Sequence, residues 1–550
     1  MNAKRSQLLL ILAVIAALLG TSAIGVSAYK LYKALPGRPP ANPSASATLN
    51  PDNSSDSGQG AAGPFSANER PEQMPAAPAG LDKFYGQSVE WGKCEDGSGG
   101  NWACGTVTVP LDYDKPEGKT IEIALKRHKS EDPRGTLFVN FGGPGGSGTH
   151  NIGPSLEYSF TAELVETFDI VGFDPRGVHL SAPIKCRTFE QIDEDNAATT
   201  PFKRGKEAWD EVAKSGKEFA DLCLANTDRA LLENVDTVSV ASDLDILRDA
   251  VNDSELHYLG YSYGTHLGAR YAEMFPKNVG RMVLDAAVDP ALTSSELAAG
   301  QAVGFENTIR EFVRQCQEEK GCPFTGNVDN GMKQLSQFFE KATANPIPTS
   351  DKNRPLTGSL AVSGVLGSMY TTEVWDMLEE GLAQAMEEND GSQLLNLIDL
   401  LNERGPDGSY PTNSDDAFPV ISAMDYPVKT MDTSEWEKQA DAILAAAPTV
   451  GKFFLYSDAN RASWPLEATC KIGPVKAAGA KPIVVVGGKG DPATPYEWSV
   501  SLAGQLESGI LVTYEGWGHG AYGGNSVCVD DAVDNYFING ELPMKNKVCE

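Results

Sequence analysis

The chain has 550 residues, enough for three or four domains at about 150 residues each, and 45 basic against 75 acidic residues leave a net charge of −30. Such acidity argues against nucleic acid as a partner, because phosphate binding rests on clustered Lys and Arg that release counterions, and against electrostatic docking on anionic lipid. With 41% hydrophobic residues the chain can bury a large core, so wholesale disorder is excluded.

The first element in chain order is a leader. Lys4 and Arg5 precede an uncharged apolar run, Leu8 to Ala28, ending in the small residues Val26-Ser27-Ala28. This is the pattern of a cleaved secretory signal. At 21 residues the run is also long enough to remain as an N-terminal membrane anchor. Both readings put the rest of the chain outside the cytoplasm, and no Cys follows the run to carry a lipid. Residues 29–80 are rich in Pro, Ala and Ser and poor in large apolar residues. Burial cannot offset their ordering entropy, so they read as a disordered linker, with the folded part beginning near Leu81.

Nine cysteines in an oxidising compartment suggest disulfides. Cys94 and Cys104 flank a Gly-rich loop, Cys186 and Cys223 bracket a polar insertion, Cys316 and Cys322 close a tight loop, and Cys528 and Cys549 bracket the last helical region. Four local bridges with Cys470 left over follow naturally, although spacing alone does not fix connectivity.

From Thr136 onward short apolar runs alternate with amphipathic stretches. The predicted strands cover 136–140, 168–174, 257–260, 281–285, 482–487 and 510–514. Ser242 reads as the opening residue of a helix over 243–251, and another helix follows over 265–275. Strands alternating with helices mean an α/β protein with a mostly parallel central sheet flanked by helices. Between Pro290 and Gly479 the pattern turns helical, with long helices over 298–319 and 371–401. This reads as a large helical cap, residues 291–478, inserted between a first core part, 81–290, and a second, 479–550.

The chemistry concentrates in glycine-rich loops at the ends of these strands. Gly260-Tyr261-Ser262-Tyr263-Gly264 lies between a strand and a helix, the context of a nucleophile elbow. Its glycines let two backbones approach, and the amide after Ser262 falls at a helix N-terminus, where it can stabilise an oxyanion. Of six histidines, His519 in Gly516-Trp517-Gly518-His519-Gly520 is the expected base. His266 is trapped in the elbow helix, His128 and His257 read as strand residues, and His150 and His179 lie on loops. Asp491 follows the 482–487 strand and is the expected acid, giving the order Ser262, Asp491, His519. Gly142 to Gly148 follows the first core strand and offers bare amides, so Gly143 and Tyr263 are the expected oxyanion donors. His-Glu-x-x-His, zinc-type cysteine spacing and a dinucleotide fingerprint are all missing, so neither metal nor cofactor is expected. The implied reaction is acyl transfer through a seryl intermediate.

Three motifs together resemble the secreted tripeptidyl aminopeptidases of actinobacteria. They are Phe141-Gly142-Gly143-Pro144-Gly145-Gly146-Ser147-Gly148, Asp174-Pro175-Arg176-Gly177 and Gly260-Tyr261-Ser262-Tyr263-Gly264-Thr265. The likeness continues through Tyr271 to Pro276, Val279 to Asp285, Gly490-Asp491-Pro492-Ala493-Thr494-Pro495 and Gly518-His519-Gly520. It also covers a C-terminal module around Cys528, Tyr536, Gly540, Leu542-Pro543 and Cys549. The resemblance implies an α/β-hydrolase fold related to the proline iminopeptidases, with a helical cap. It further implies release of short peptides or single residues from free N-termini, while close relatives are described as carboxylesterases. The chain departs from the family at Ala423 and Arg461, where a pair of cysteines is usual, and at His179, where Gly is usual.

Counting from an N-terminus requires a carboxylate for the substrate's ammonium, and related enzymes place it in the cap. The cap offers many carboxylates, Glu373, Asp376, Glu379 and Glu380 among them, and the sequence does not choose between them. The expected function is a secreted serine exopeptidase acting on peptides. A carboxylesterase or lipase with the same triad is the alternative. A non-catalytic binding protein on an inactivated hydrolase fold is the third, and the intact Ser262, Asp491 and His519 argue against it.

Overall fold

The computed structural model describes residues 71, 73–199, 202–428 and 433–550. The leader and residues 29–70 of the linker lie outside them, while Leu81 and Phe84 are already buried in the core. Nine strands form one sheet: β1 (Trp102–Pro110), β2 (Thr120–His128), β3 (Thr136–Asn140), β4 (Asp169–Phe173), β5 (Leu256–Tyr261), β6 (Val279–Asp285), β7 (Ile483–Gly490), β8 (Gly509–Trp517) and β9 (Lys547–Cys549). Their spatial order is β1-β2-β4-β3-β5-β6-β7-β8-β9. β1, β2 and β4 pair antiparallel, and every pair from β4 across to β9 is parallel.

The parallel strands β3, β4 and β5 are buried at every residue, as a sheet covered on both faces requires. The chain leaves β3 toward β4 on one side and returns at β5 on the other. The crevice outside the carboxyl ends of β3 and β5 is therefore a topological switch point, where sheets of this kind hold their ligands.

The helices that position the site are α1 (Gly148–Tyr158), α2 (Lys206–Asn226), α3 (Thr237–Ala250) and α4 (Tyr263–Met274) in the core. Between β6 and β7 come α5 (Ser294–Cys316), α6 (Val328–Ala344), α7 (Gly358–Ser368), α8 (Trp375–Ala383), α9 (Ser392–Leu401) and α10 (Ser414–Asp425). Most of these pack around their own apolar cluster, with Phe312, Leu335, Phe339, Leu378 and Leu397 at its centre. After β7 come α11 (Tyr496–Gln505) and α12 (Val527–Asn539).

Several local expectations are corrected. Ser242 does not open α3: Asp236 does, accepting the amides of Val238 and Ser239, while the Ser242 hydroxyl bonds back to the Val238 carbonyl. The elbow helix starts at Tyr263 rather than 265. The long helix over 371–401 is broken into α8 and α9 at Asn389, whose φ of 55° is left-handed. The polar insertion between Cys186 and Cys223 is mostly helical. β1, β2 and β9 had no counterpart among the predicted strands.

Disulfides join Cys94 to Cys104, Cys186 to Cys223, Cys316 to Cys322 and Cys528 to Cys549, and Cys470 is buried and unpaired. Arg461, at one of the two positions where the resemblance implies a cysteine, packs beside the other. It donates to the Ser422 carbonyl beside Ala423 at 3.1 Å and lies over the Tyr426 ring at 5.1 Å.

Candidate active site

Ser262 ends β5 with φ 54° and ψ −123°, a conformation that a non-glycine residue adopts only under tertiary constraint. The constraint is the close approach of the β3 loop. A Cβ on Gly142 would stand 2.9 Å from the Ser262 Cβ and 2.7 Å from the Tyr261 carbonyl, so that loop can touch the elbow only with glycine there. The Ser262 amide donates to the Asp285 carbonyl at the end of β6 (3.0 Å).

His519 is buried on the loop after β8, and its Nδ1 lies 2.9 Å from each oxygen of Asp491. Four donors fix that carboxylate: the amides of Ala493 (2.9 Å), Thr494 (2.8 Å) and Gly520 (3.3 Å), and the Thr494 hydroxyl (3.0 Å). The His519 amide donates to the Tyr370 carbonyl (2.8 Å), and the Tyr370 ring meets the imidazole edge-on at 5.1 Å. The cap thus holds the histidine loop from above. Ser262 and His519 share no hydrogen bond among the described residues.

Asp285 links the two loops. Its carbonyl takes the Ser262 amide, and its Oδ2 takes the amides of Ala521 (2.9 Å) and Tyr522 (2.8 Å) just past His519. Burial chiefly pushes its carboxyl up to about 6, against the pull of those two amides. It is not the carboxylate that the imidazole faces, which is Asp491. Sequence reasoning passed over Asp285, Thr494 and Tyr370. The Asp-x-x-Thr turn at Asp491-Pro492-Ala493-Thr494 was the one local signal.

Of the expected oxyanion donors, Tyr263 occupies the first position of α4, where an amide has no helical partner. Gly143 is exposed on the facing loop. Neither amide meets an acceptor among the described residues, whereas the neighbouring Gly142 amide is taken by Asn140 Oδ1 (3.0 Å). After the same loop, Asp174 accepts the Ser147 hydroxyl (2.6 Å) and both the amide (3.0 Å) and hydroxyl (2.8 Å) of Thr149, pinning the start of α1. His179 stands at φ 42°, which explains why glycine suits that place, and its Nδ1 sits 3.2 Å from Asp174.

His266 is excluded as a base. It is 2% exposed between the Tyr263 and Tyr426 rings, neither ring nitrogen has a partner, and burial depresses its pKa to about 3. An unfolded chain protonates this histidine below about 6.5 and the folded one does not until about 3, so wild-type stability falls with pH across that window. Replacing His266 by Phe removes the loss. The gain in melting temperature over wild type should therefore be larger at pH 5 than at pH 8, by at most about 1.4 kcal/mol of stability per pH unit below 6.5. A gain that does not depend on pH would refute the argument.

Two cavities border this region. The larger, about 640 Å³, lies between α5 and the end of β7 and touches Asp491 but neither Ser262 nor His519. A second, about 290 Å³, is bounded by Gly143, Pro144 and Ser147 on the core side and by Glu403, Asp415 and Phe418 of the cap. The four carboxylates named from the sequence lie apart from this cavity. Asp376 and Glu379 face Glu318 and Glu319 in a separate cavity of about 260 Å³. Glu380 is exposed, and Glu373 sits in the turn after Tyr370. The carboxylates that share a cavity with the glycine loop are Glu403 and Asp415, which the sequence did not single out.

A family model described as alpha/beta hydrolase fold matches residues 136–373, and one described as TAP-like protein matches residues 447–549. Serine protease Hip1 of Mycobacterium tuberculosis is 35% identical over 483 residues, covering 84% of this chain and 91% of that protein. Carboxylesterase B of the same species is 34% identical over 457 residues, covering 81% and 86%. Tripeptidyl aminopeptidase of Streptomyces lividans is 28% identical over 459 residues, covering 81% and 83%.

Proposed function

Because the chain belongs to the α/β-hydrolases that carry a TAP-like C-terminal part, we propose that it is a serine exopeptidase releasing short peptides or residues from free N-termini. In this reading Ser262 Oγ attacks the scissile carbonyl while His519 takes its proton. Asp491 holds the imidazole in the reactive tautomer and stabilises its charged form. The amides of Gly143 and Tyr263 receive the developing oxyanion. His519 then returns the proton to the leaving amine, and water activated by the same imidazole releases the acyl group. Four disulfides and the leader read from the sequence support a site of action outside the cytoplasm.

The observation that carries the exopeptidase reading is the 290 Å³ cavity with Gly143 on one wall and two cap carboxylates on the other. A peptide acylating Ser262 would extend its N-terminal side from the oxyanion loop into this space. Glu403 holds one oxygen 3.6 Å from His150 Nε2, and its other oxygen is buried without a hydrogen-bond partner among the described residues. Burial pushes the Asp415 carboxyl up, the response of a group that gains from a cation.

The elbow itself does not discriminate amides from esters, since both pass through the same oxyanion, and the similarity to a carboxylesterase keeps that reading in play. Three substrates separate them: a tripeptide chromogenic amide with a free N-terminus, its N-acetylated form, and a short-chain nitrophenyl ester. Cleavage of the free amide at least about tenfold faster than the blocked one is expected, one unit of 1.4 kcal/mol for the ammonium contact. Equal cleavage of both amides would remove the N-terminal recognition, and turnover of the ester alone would make the enzyme an esterase.

A further inference from the structure

We propose that Asp425, the last residue of cap helix α10, is a positioning residue for the oxyanion site, holding Tyr263 and through it the amide that follows Ser262. The inference rests on the serine-hydrolase reading above and adds the cap to it. Three elements meet in a buried polar knot: the end of α10, the first residue of α3 and the first residue of α4. Asp425 Oδ1 accepts the Thr237 amide at 2.7 Å, and its Oδ2 accepts the Thr237 hydroxyl at 2.7 Å. The Tyr263 hydroxyl stands 3.2 Å from the same Oδ2 and 2.5 Å from the Thr237 hydroxyl. Asp425 is 1% exposed, Thr237 0% and Tyr263 6%.

The chemistry of the knot is directional. Ala417, Val420, Ile421 and Met424 of α10 belong to the same apolar cluster as the Tyr263 ring, and apolar contact alone would let the ring slide. The carboxyl pins the far end of the ring while the near end carries the amide at the start of α4. Three mutually close oxygens with two hydroxyl protons can make two of their three bonds, and a proton on Asp425 completes the third. Burial chiefly pushes the Asp425 carboxyl up to about 7, with Thr237 pulling it down and Asp236 pushing it up. Asp236 faces it from the start of α3, Tyr263 from α4, Tyr426 and Arg461 from the cap, and Cys470 from the segment before β7.

The test uses full-length enzyme carrying Asp425→Asn, Tyr263→Phe or both, with rates expressed per active site titrated by a fluorophosphonate. Each single variant should lower kcat about tenfold on an ester and on an amide alike while KM stays within about twofold. The inhibition constant of a boronic acid, whose tetrahedral adduct puts an oxygen in the oxyanion hole, should rise by the same factor. The double variant should be no worse than the weaker single, because both cut one linkage. If the titratable fraction falls while kcat per site and the boronate constant stay at wild-type values, Asp425 is merely structural and the proposal is overturned. Additive losses, or losses confined to KM, overturn it as well. Should Asp425→Asn fail to fold, Tyr263→Phe decides alone by the same readouts. Turnover surviving Ser262→Ala would instead remove the serine-hydrolase reading on which the inference stands.

Discussion

Replacing Ser262 by alanine should lower turnover of every substrate by about 10⁶-fold, to the background of the uncatalysed reaction plus whatever binding alone contributes. The size follows from the position. The side chain sits on a strained residue between β5 and α4, faced by the glycine loop after β3 and backed by the amide of Tyr263. Asp491→Asn should cost about 10⁴-fold, because an NH2 in place of one carboxylate oxygen can donate to His519 Nδ1 and hold it in the wrong tautomer, while the remaining oxygen can still accept the amides of Ala493 and Thr494. The two losses should not add, since the residues act as one unit. Steady-state rates on the preferred substrate, with labelling by a fluorophosphonate as the second readout, decide the matter. Labelling of Ser262→Ala, or activity above about 1% of wild type, would move the nucleophile elsewhere.

Ser262, Asp491 and His519, the residues proposed as a triad, could be singled out in the sequence because each lies in a glycine-rich loop directly after an apolar run, a local pattern that survives without tertiary information. The strands that carry those loops were legible for the same reason: burial on both faces makes them continuous runs of Val, Ile, Leu and Phe. β1 and β2 were not. They lie at one edge of the sheet, and polar residues such as Thr106, Thr108, Lys126 and Arg127 break the apolar signal. β9 is three residues long and is tied to α12 by the Cys528–Cys549 bridge, a non-local cause. The start of α3 was missed because Asp236-Thr237-Val238-Ser239 reads as turn chemistry, although an aspartate before such a run is what caps a helix. The break between α8 and α9 was visible in principle at Asn389-Asp390-Gly391.

The positioning carboxylates were out of reach for a different reason. Asp285 and Asp425 carry no motif of their own, and only the register of β6 against β7 and the packing of α10 show what each carboxyl holds. The carboxylates between β6 and β7 were equally indistinct: only the packing puts Asp376 and Glu379 in one cavity and Glu403 and Asp415 in another, beside the glycine loop.

The Arg176→Met exchange should cost about 3–5 kcal/mol of folding stability, the largest single effect expected outside the triad. Arg176 and Asp243 are 0% and 2% exposed in their side chains. The guanidinium grips the carboxylate with two parallel bonds, Nε to Oδ2 at 2.7 Å and Nη2 to Oδ1 at 2.6 Å. Its remaining protons go to the carbonyls of Leu111 (2.8 Å), Asn234 (2.9 Å) and Pro110 (2.9 Å). Removing the arginine leaves a buried carboxylate held only by the Tyr113 hydroxyl (2.7 Å), and three carbonyls short of a donor. Arg176→Lys should recover little, because an ammonium cannot reproduce the planar fork. Arg176→Met combined with Asp243→Leu should recover part of the loss, since the unpaired charge disappears and the orphaned carbonyls remain. Denaturant midpoints of the three variants give these differences, and a cost below about 1 kcal/mol for Arg176→Met would show that the pair is replaceable by packing alone. The loss should also reach activity below the unfolding transition. Asp174, two residues before the arginine, holds Ser147 and Thr149 behind the glycine loop that presents the Gly143 amide. Loosening the 174–177 turn therefore loosens one wall of the oxyanion site, and kcat should fall with it while KM changes less.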